Sequence, residues 1–217
     1  IIIAGESFNI RSFAEPPEKA RRMFQAVIEL IQDNADLSTI KVSDITTRAG
    51  IGKGTAYEYF SSKEEILTLA LLYEYKTRLS DLEEELQKQD GFRKKIFCLL
   101  DWLDENSGYN FSFRHMLQIS SGNADFCETV QQSIPEEIMK KMEEYLIENG
   151  NTLMELGYKE GLYTECDPVK RRLAMAGLIA QFLFTVSPEA GRFQMKMDQK
   201  AAKEFVYDGM LKVLNKA

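Results

Sequence analysis

The side chains best suited to chemistry in this sequence lie in one short run, and their chemistry is anion binding. Lys53 and Lys63 carry positive charge, while Thr55, Tyr57 and Tyr59 have hydroxyl groups that can donate hydrogen bonds. Phosphate oxygens accept bonds from all three residue types. Threonine and tyrosine can also touch the methyl group of thymine. The run therefore predicts a nucleic-acid contact.

Lys53 and Gly54 would be unfavourable if this run served only for packing. Gly54 falls inside a helical pattern, where glycine costs about 0.8–1.0 kcal/mol relative to alanine. Lys53 falls at the start of that pattern, where the positive end of the helix dipole disfavours a cation. An approaching phosphate would offset both effects, because a helix start attracts anions and glycine lets the backbone come close.

The preceding residues predict a short helix that ends in a glycine turn. Val42, Ile45 and Ala49 recur at spacings of three and four, which places one apolar stripe along a helix. Gly50 follows, and glycine just past a helix accepts the left-handed conformation that closes it. Ile51 can bury in the turn.

A second helix begins at Gly52, and its Ala56 and Phe60, four residues apart, face inward. The run Ser61–Glu65 then fits a capping box in either of two registers, with the first serine and the first glutamate or with the second of each. A third helix therefore starts within this run.

The segment from Val42 to Ile66 resembles the helix-turn-helix of TetR-type transcriptional regulators. Three positions depart from the family pattern: Lys41 replaces a threonine cap, Thr46 replaces a packing alanine, and Gly52 replaces a capping serine. Glycine is an acceptable cap but supplies no side-chain oxygen. The matching positions are Val42, Asp44, Ile45, Ala49, Gly50, Gly54, Thr55, Tyr57, Tyr59, Phe60, Lys63, Glu64 and Glu65.

The resemblance implies which residues contact double-stranded DNA. Gly54 and Thr55 fall where the recognition helix meets base edges and backbone, and Ser43 falls where the preceding helix contacts the groove edge or a base. Further DNA contacts are expected from Lys53, Tyr57, Tyr59 and Lys63.

Some of these side chains have ordinary structural alternatives. Tyr57 could be partly in the core. Lys63 could be a solvated charge in the first turn of a helix, and Ser43 could be a helix-start residue without a DNA contact. Glu58 could accept a bond from a cytosine amine, but pointing to solvent is the simpler expectation.

The charge balance fits a local contact with nucleic acid. The 217-residue chain has a net charge of −7, yet residues 41–63 hold four basic side chains against two acidic ones. The acid elsewhere limits non-specific binding to DNA. We call Lys41, Arg48, Lys53 and Lys63 the basic patch. If every patch cation of a dimer met a phosphate, log K against log[salt] would have a slope no steeper than about −7.

The sequence as a whole predicts an all-α protein, in which a three-helix helix-turn-helix head joins a larger C-terminal helical ligand-binding and dimerisation domain. We expect a flexible arm or expression remnant over residues 1–17, the DNA-binding domain over 18–62 and the second domain over 63–217. The predicted body helices run from Lys63 to Gln89, Phe92 to Glu105, Tyr109 to Ser120, Ala124 to Ser133, Pro135 to Tyr158, Pro168 to Val186 and Met197 to Asn215.

The last two predicted helices suggest a homodimer. Small residues allow close helix approach and larger apolar residues supply bulk, so the pair could meet its symmetry mate as a four-helix bundle. The alternative is an internal helix pair in a monomer. These residues are Ala174, Ala176, Gly177 and Ala180, with Leu173, Phe184, Phe205, Val206 and Val213.

The middle of the body contains an aromatic, slightly polar set suited to an apolar or planar small molecule. Ordinary core packing is the alternative for each member. His115 is the only histidine in the chain, and a lone histidine is more often structural than a ligand contact. The candidate pocket residues are Trp102, Tyr109, Phe113, His115, Met116, Phe126 and Phe182.

Other classes of function find no support in the sequence. No nucleophile has a recognisable base, so we expect no enzyme and no cofactor. Cys98, Cys127 and Cys166 lack metal-binding spacing, so we expect no metal site, and we expect these thiols to be reduced and buried. No apolar run approaches the length of a membrane span, which favours a cytoplasmic protein.

These expectations combine into a sequence-specific transcriptional regulator that binds a palindromic operator, as a repressor released by a small-molecule ligand. The alternative is a helical adaptor that binds only protein.

Overall fold

The computed structural model describes residues 15–33, 35, 39–107 and 136–215, and every regular element in these ranges is a helix, as predicted. The predicted helices at 109–120 and 124–133, and the arm up to residue 14, lie outside the described residues. In chain order the helices are α1 (Glu18–Gln32), α2 (Val42–Ala49), α3 (Lys53–Tyr59), α4 (Lys63–Gln87), α5 (Phe92–Ser107), α6 (Glu136–Lys159), α7 (Pro168–Val186), α8 (Pro188–Arg192) and α9 (Gln199–Leu214).

The chain divides into two compact units. Unit 1 comprises residues 1–81 and 109–142, and unit 2 comprises residues 82–108 and 143–217. Two of the three divisions fall inside α4 and α6. The sequence suggested a boundary between residues 62 and 63, which stays a prediction.

In unit 1, α1 supplies the main apolar face of the head. Its Phe24 is buried and packs against the ring of Phe60, at 5.7 Å between centroids, and of Tyr73, at 5.8 Å. Helix α4 contributes Ile66 and Leu67 to the same core. The apolar residues along this face of α1 are all buried: Ala20, Met23, Phe24, Val27, Ile28 and Ile31.

A polar contact joins α4 to the residues that precede α1. The Tyr73 hydroxyl donates to a Glu15 carboxylate oxygen at 3.0 Å, and Lys76 Nζ lies 3.6 Å from the other oxygen. Lys76 is largely buried, so this carboxylate places a negative charge beside a desolvated cation. Glu15, inside the range predicted to be a flexible arm, is therefore held against α4.

In unit 2, α5, α7 and α9 form the core. Phe92 and Phe182 are fully buried, and Phe92 lies against Tyr207 with 6.1 Å between ring centroids. Helix α5 begins just after a left-handed glycine, Gly91, and the Glu160 carboxylate accepts the Phe92 backbone N–H at 3.0 Å. A residue distant in sequence thus caps the start of α5.

Two sequence expectations in unit 2 need correction. Helix α7 ends at Val186 as predicted, but the Ser187 hydroxyl accepts the Ala190 N–H at 3.3 Å, and Pro188 opens the unpredicted helix α8. The expectation of buried thiols was wrong for Cys166, which is exposed, and only partly right for Cys98, which is half-buried.

Within the described ranges, each helix is either too short or too polar to cross a lipid bilayer.

Candidate nucleic-acid interface

The turn that follows α2 has the predicted left-handed closure. Gly50 has φ 62° and ψ 41°. Its N–H donates to the Thr47 carbonyl at 3.2 Å, and the Ile51 N–H donates to the Thr46 carbonyl at 2.9 Å. This pair of reverse bonds satisfies carbonyls that the end of a helix would otherwise leave open, and it sets the point from which the chain enters α3.

Both departures from the family pattern in and before α2 are accommodated locally. Lys41 precedes the helix, and its backbone N–H donates to the Asp44 carboxylate at 2.9 Å, so the aspartate supplies a cap that lysine cannot. Thr46 is buried, and its hydroxyl donates to the Ser43 carbonyl at 3.2 Å. The extra hydroxyl is therefore satisfied inside the core.

Helix α3 packs on one side and leaves the other open. Ala56 is fully buried and Phe60, just past the helix, is buried beside it. Gly52 precedes the helix in an extended conformation, with φ −67°, and makes no side-chain cap, as the sequence predicted. The outward residues include Tyr57, 53% exposed, and Tyr59, 39% exposed.

Gly54 has no packing role in the described chain. Apart from its own helix and its neighbours in sequence, no heavy atom lies within 4 Å of the position that a Cβ would take. The absence of a side chain at this position is therefore not explained by a close approach within the protein.

The sequence-predicted DNA-contacting residues differ in exposure. The exposure of Tyr57 argues against the alternative that it belongs to the core. Thr55 and Lys63 are half-buried. The exposed members are Ser43, Lys53, Gly54, Tyr57 and Tyr59.

The turn between α3 and α4 uses the second of the two capping registers, with an additional contact. The Ser62 hydroxyl accepts the Glu65 N–H at 3.1 Å, while the Glu65 carboxylate accepts both the hydroxyl and the backbone N–H of Ser61 at 2.6 Å. The bond from the Ser61 hydroxyl, followed by the one from its backbone, lowers the pKa of Glu65. Lys63 lies in this first turn, 3.9 Å from the Glu64 carboxylate.

Arg48 of the basic patch forms a close ion pair within the protein. Arg48 Nη1 lies 2.6 Å from the Asp33 carboxylate and 3.9 Å from that of Glu29. Arg48 can therefore meet phosphate only if this ion pair breaks, and a contact from all four patch cations stays a prediction. Lys41 and Lys53 are exposed and form no ion pair with any described residue.

Sequence reasoning missed a residue at the α2–α3 turn. Arg22 of α1 donates from Nη2 to the Ala49 carbonyl at 2.5 Å and to the Gly50 carbonyl at 3.4 Å. Its acceptors are backbone atoms 27 and 28 residues away, so no local spacing indicates the contact.

The predicted ligand pocket can be placed only in part. Phe182 lies fully buried in the core of unit 2, and Trp102 of α5 is half-buried. The pocket therefore stays a prediction. Its other members lie outside the described residues: Tyr109, Phe113, His115, Met116 and Phe126.

Helices α7 and α9 carry exposed apolar side chains of the kind that the dimer prediction requires. Leu173 is 67% exposed and Phe205 is 60% exposed. Val206 was placed on this face wrongly, because it is fully buried. The other exposed members are Ala176, Gly177, Ala180, Phe184 and Val213, while Ala174 is half-buried.

No group of three or more histidine, cysteine or acidic side chains in the described ranges is arranged to hold a metal ion.

A three-helix head whose second and third helices are joined by a glycine turn, attached to a larger helical body, defines the class of helix-turn-helix transcriptional regulators. Residues 36–70 match the family described as bacterial regulatory proteins of the tetR family. The head of this chain is therefore similar to that of TetR-type transcriptional regulators.

Individual relatives agree with this assignment. The chain is 26% identical over 140 residues to the HTH-type transcriptional regulator YhgD of Bacillus subtilis, which covers 63% of this chain and 68% of that protein. Its fold resembles the transcriptional regulator FadR from Bacillus subtilis in complex with stearoyl-CoA, with a TM-score of 0.60, 20% identity, and 89% and 98% of the two chains covered. It also resembles a TetR transcription regulator from Haloarcula marismortui, with a TM-score of 0.64, 14% identity, and 92% and 99% covered. These relatives are regulators and not enzymes.

Proposed function

We propose that this regulator binds a specific DNA sequence through the outward side of α3, and that two copies do so together as a ligand-released repressor. The observation that carries the proposal is the open position of Gly54 beside the exposed ring of Tyr57.

Gly54 supports a DNA contact because no contact within the described chain explains why the helix carries a destabilising glycine there. Glycine in a helix costs about 0.8–1.0 kcal/mol relative to alanine, and a Cβ at this position would meet no atom of another element. A partner that approaches the backbone closely explains the glycine. Thr55, Tyr57 and Lys53 surround this position with hydroxyl groups and a cation, which suit base edges and phosphates.

Replacement of Gly54 by alanine tests the proposal, because its effects on folding and on binding should have opposite signs. We expect Gly54→Ala to raise the free energy of unfolding by up to about 1 kcal/mol. The same variant should weaken binding to a duplex selected from a random pool by about 1–3 kcal/mol, the range for loss of one base-pair contact.

Gly191 of α8 provides a matched control. It is exposed, and a Cβ on it would likewise meet no atom of the described ranges within 4 Å. Gly191→Ala should leave DNA binding unchanged. If wild-type protein showed no salt-sensitive association with any duplex, the alternative of a protein-binding adaptor would replace the proposal.

The dimer is proposed from the exposed apolar faces of α7 and α9. Large apolar side chains such as Leu173, Phe205 and Val213 rarely form a continuous exposed surface on a monomer. Small residues beside them allow two helices of a second copy to pack closely. A twofold dimer would offer two α3 helices to successive turns of a palindromic operator, about 34–36 Å apart.

The ligand is proposed to act through the helical body. Support comes from the shared fold with FadR of Bacillus subtilis, whose crystal structure contains stearoyl-CoA, and from the aromatic residues of the sequence, including Trp102. A ligand that favours a conformation with wrongly spaced heads needs a coupling of only about 1–3 kcal/mol to change operator occupancy usefully.

Stearoyl-CoA is a suitable first probe, with free coenzyme A as its control. Trp102 is the only tryptophan in the chain, so its fluorescence reports binding near it. If acyl-CoA is the effector class, stearoyl-CoA should change this fluorescence and weaken operator binding about 5- to 150-fold, while coenzyme A alone should not. If neither compound changed the operator affinity, acyl-CoA would be excluded as the effector class.

A further inference from the structure

Helix α1 holds the last turn of α2 at two separate points. On one side, the Arg22 guanidinium donates to the carbonyls of Ala49 and Gly50, at 2.5 and 3.4 Å. On the other, Arg48 of α2 pairs with Asp33, just past the end of α1, at 2.6 Å. These contacts fix the end of α2 relative to α1 in addition to the apolar core between them.

The Arg22 contact lies where the path into α3 is decided. Gly50 has a left-handed conformation, and a Cβ on it would stand 2.9 Å from Arg22 Nη2. The turn thus has no side chain at the point where the guanidinium approaches. The Gly50 carbonyl that Arg22 binds belongs to the peptide that leads to Ile51, two residues before α3 begins.

Arg22 makes its described polar contacts with main-chain atoms alone. Its neighbours on α1 include Glu18, one turn earlier, yet no carboxylate in the described chain pairs with the guanidinium. A cation beside the last carbonyls of a helix also interacts favourably with the negative end of the helix dipole. The geometry therefore directs the charge of Arg22 at the α2–α3 turn.

We propose that Arg22 is a positioning residue for sequence reading: by holding the carbonyls that end α2, it sets the register in which α3 presents Gly54, Thr55 and Tyr57 to base edges. This inference rests on the proposed function. Contacts to phosphate tolerate small shifts, whereas hydrogen bonds to base edges do not, because they depend on distance and angle. Loss of Arg22 should therefore reduce specific binding more than non-specific binding.

The test compares Arg22→Gln with Arg21→Gln in the full-length protein. Both changes remove one exposed positive charge from α1, but among the described residues no hydrogen bond or ion pair joins Arg21 to α2. Binding to the selected operator and to a scrambled duplex is measured over a range of salt concentrations, at a temperature where circular dichroism shows each variant to be folded.

We expect Arg22→Gln to lower operator affinity about ten-fold while scrambled-duplex affinity and the salt slope stay at the Arg21→Gln values. Arg22→Lys, whose ammonium can still donate to a carbonyl, should restore part of the operator affinity. If Arg22 merely stabilised the fold, Arg22→Gln would lower the melting temperature and leave the ratio of operator to scrambled affinity unchanged.

Three results would overturn the inference. Equal losses on both duplexes, with a slope less negative by about 1.8 for the dimer, would make Arg22 a phosphate contact. An unchanged ratio in Arg22→Gln would assign it a structural role at most. An Arg22→Gln that fails to fold, together with a folded Arg22→Lys whose ratio equals that of the wild type, would do the same. Wild-type protein that binds no duplex would instead refute the proposed function itself.

Discussion

Replacing Lys53 with alanine should make DNA binding less sensitive to salt, whereas replacing Arg48 with glutamine should not. The two residues both belong to the basic patch, but only Arg48 lies in a close ion pair, 2.6 Å from Asp33. A cation already neutralised by a carboxylate releases no counterion from DNA unless that pair breaks. The two variants therefore distinguish a cation that is already paired within the protein from one that is available to phosphate.

The magnitude follows from the number of available cations. Lys41 and Lys53 of both protomers give four phosphate contacts and a slope of log K against log[salt] of about −3.6. If Lys63 of each protomer also contacts phosphate in place of Glu64, six contacts give a slope of about −5.4. Loss of Lys53 from both protomers should make either slope less negative by about 1.8.

Fluorescence anisotropy with a labelled operator duplex, between about 50 and 200 mM salt, resolves a change of this size. Arg48→Gln should reproduce the wild-type slope. If Arg48→Gln instead flattened the slope as much as Lys53→Ala does, Arg48 would have to exchange Asp33 for phosphate on binding, and the reasoning from the ion pair would be wrong. A wild-type slope steeper than about −5.4 would show that cations outside the three lysines contact DNA.

Three further changes have defined outcomes. Because hydrogen bonds from Ser61 lower the folded-state pKa of Glu65 below its ordinary 4.5, their stabilisation is present above that value and is lost as pH falls through the lowered pKa; urea unfolding at pH 7 and below pH 4 should show a smaller acid loss in Glu65→Gln. Thr46→Ala removes a buried hydroxyl that donates to the Ser43 carbonyl and should lower the free energy of unfolding by about 1 kcal/mol; a stabilised variant would contradict this. Leu173→Glu should yield a monomer by light scattering, and a variant that stays dimeric would show that Leu173 of α7 does not lie in the interface.

The head could be predicted from sequence because its determinants are local. The apolar stripe of α2 depends on spacings of three and four residues, and the turn depends on a single glycine, Gly50, in the conformation that glycine favours. The capping run Ser61–Glu65 was predicted less completely. The sequence allowed two registers, and the structure has the one in which Ser62 accepts the Glu65 N–H. Local patterns thus gave the elements, and contacts in three dimensions chose between equivalent local options.

The contacts that sequence could not predict join residues far apart in the chain. Arg22 and Arg48 look alike as exposed helix cations, yet one binds backbone carbonyls 27 and 28 residues away and the other binds a carboxylate. Val206 was misplaced for a related reason. It follows Phe205 directly, and which of two adjacent apolar residues is buried depends on the helix that packs against them, not on composition. Helix α8 was missed because Ser187 both ends α7 and caps α8, so the serine and proline that mark a break also mark a new start.

The contact between Glu15 and α4 limits how the head can be shortened for solution NMR. A fragment cut at the predicted boundaries, from residue 18 to residue 62, would lack both Glu15 and the first turns of α4, including Ile66 and Leu67 from the head core. A fragment from residue 15 through Asp81 would keep the carboxylate beside Lys76 and the apolar turns together. The narrower fragment should give poorly dispersed amide resonances, because its hydrophobic centre would be open to water on the side that α4 covers.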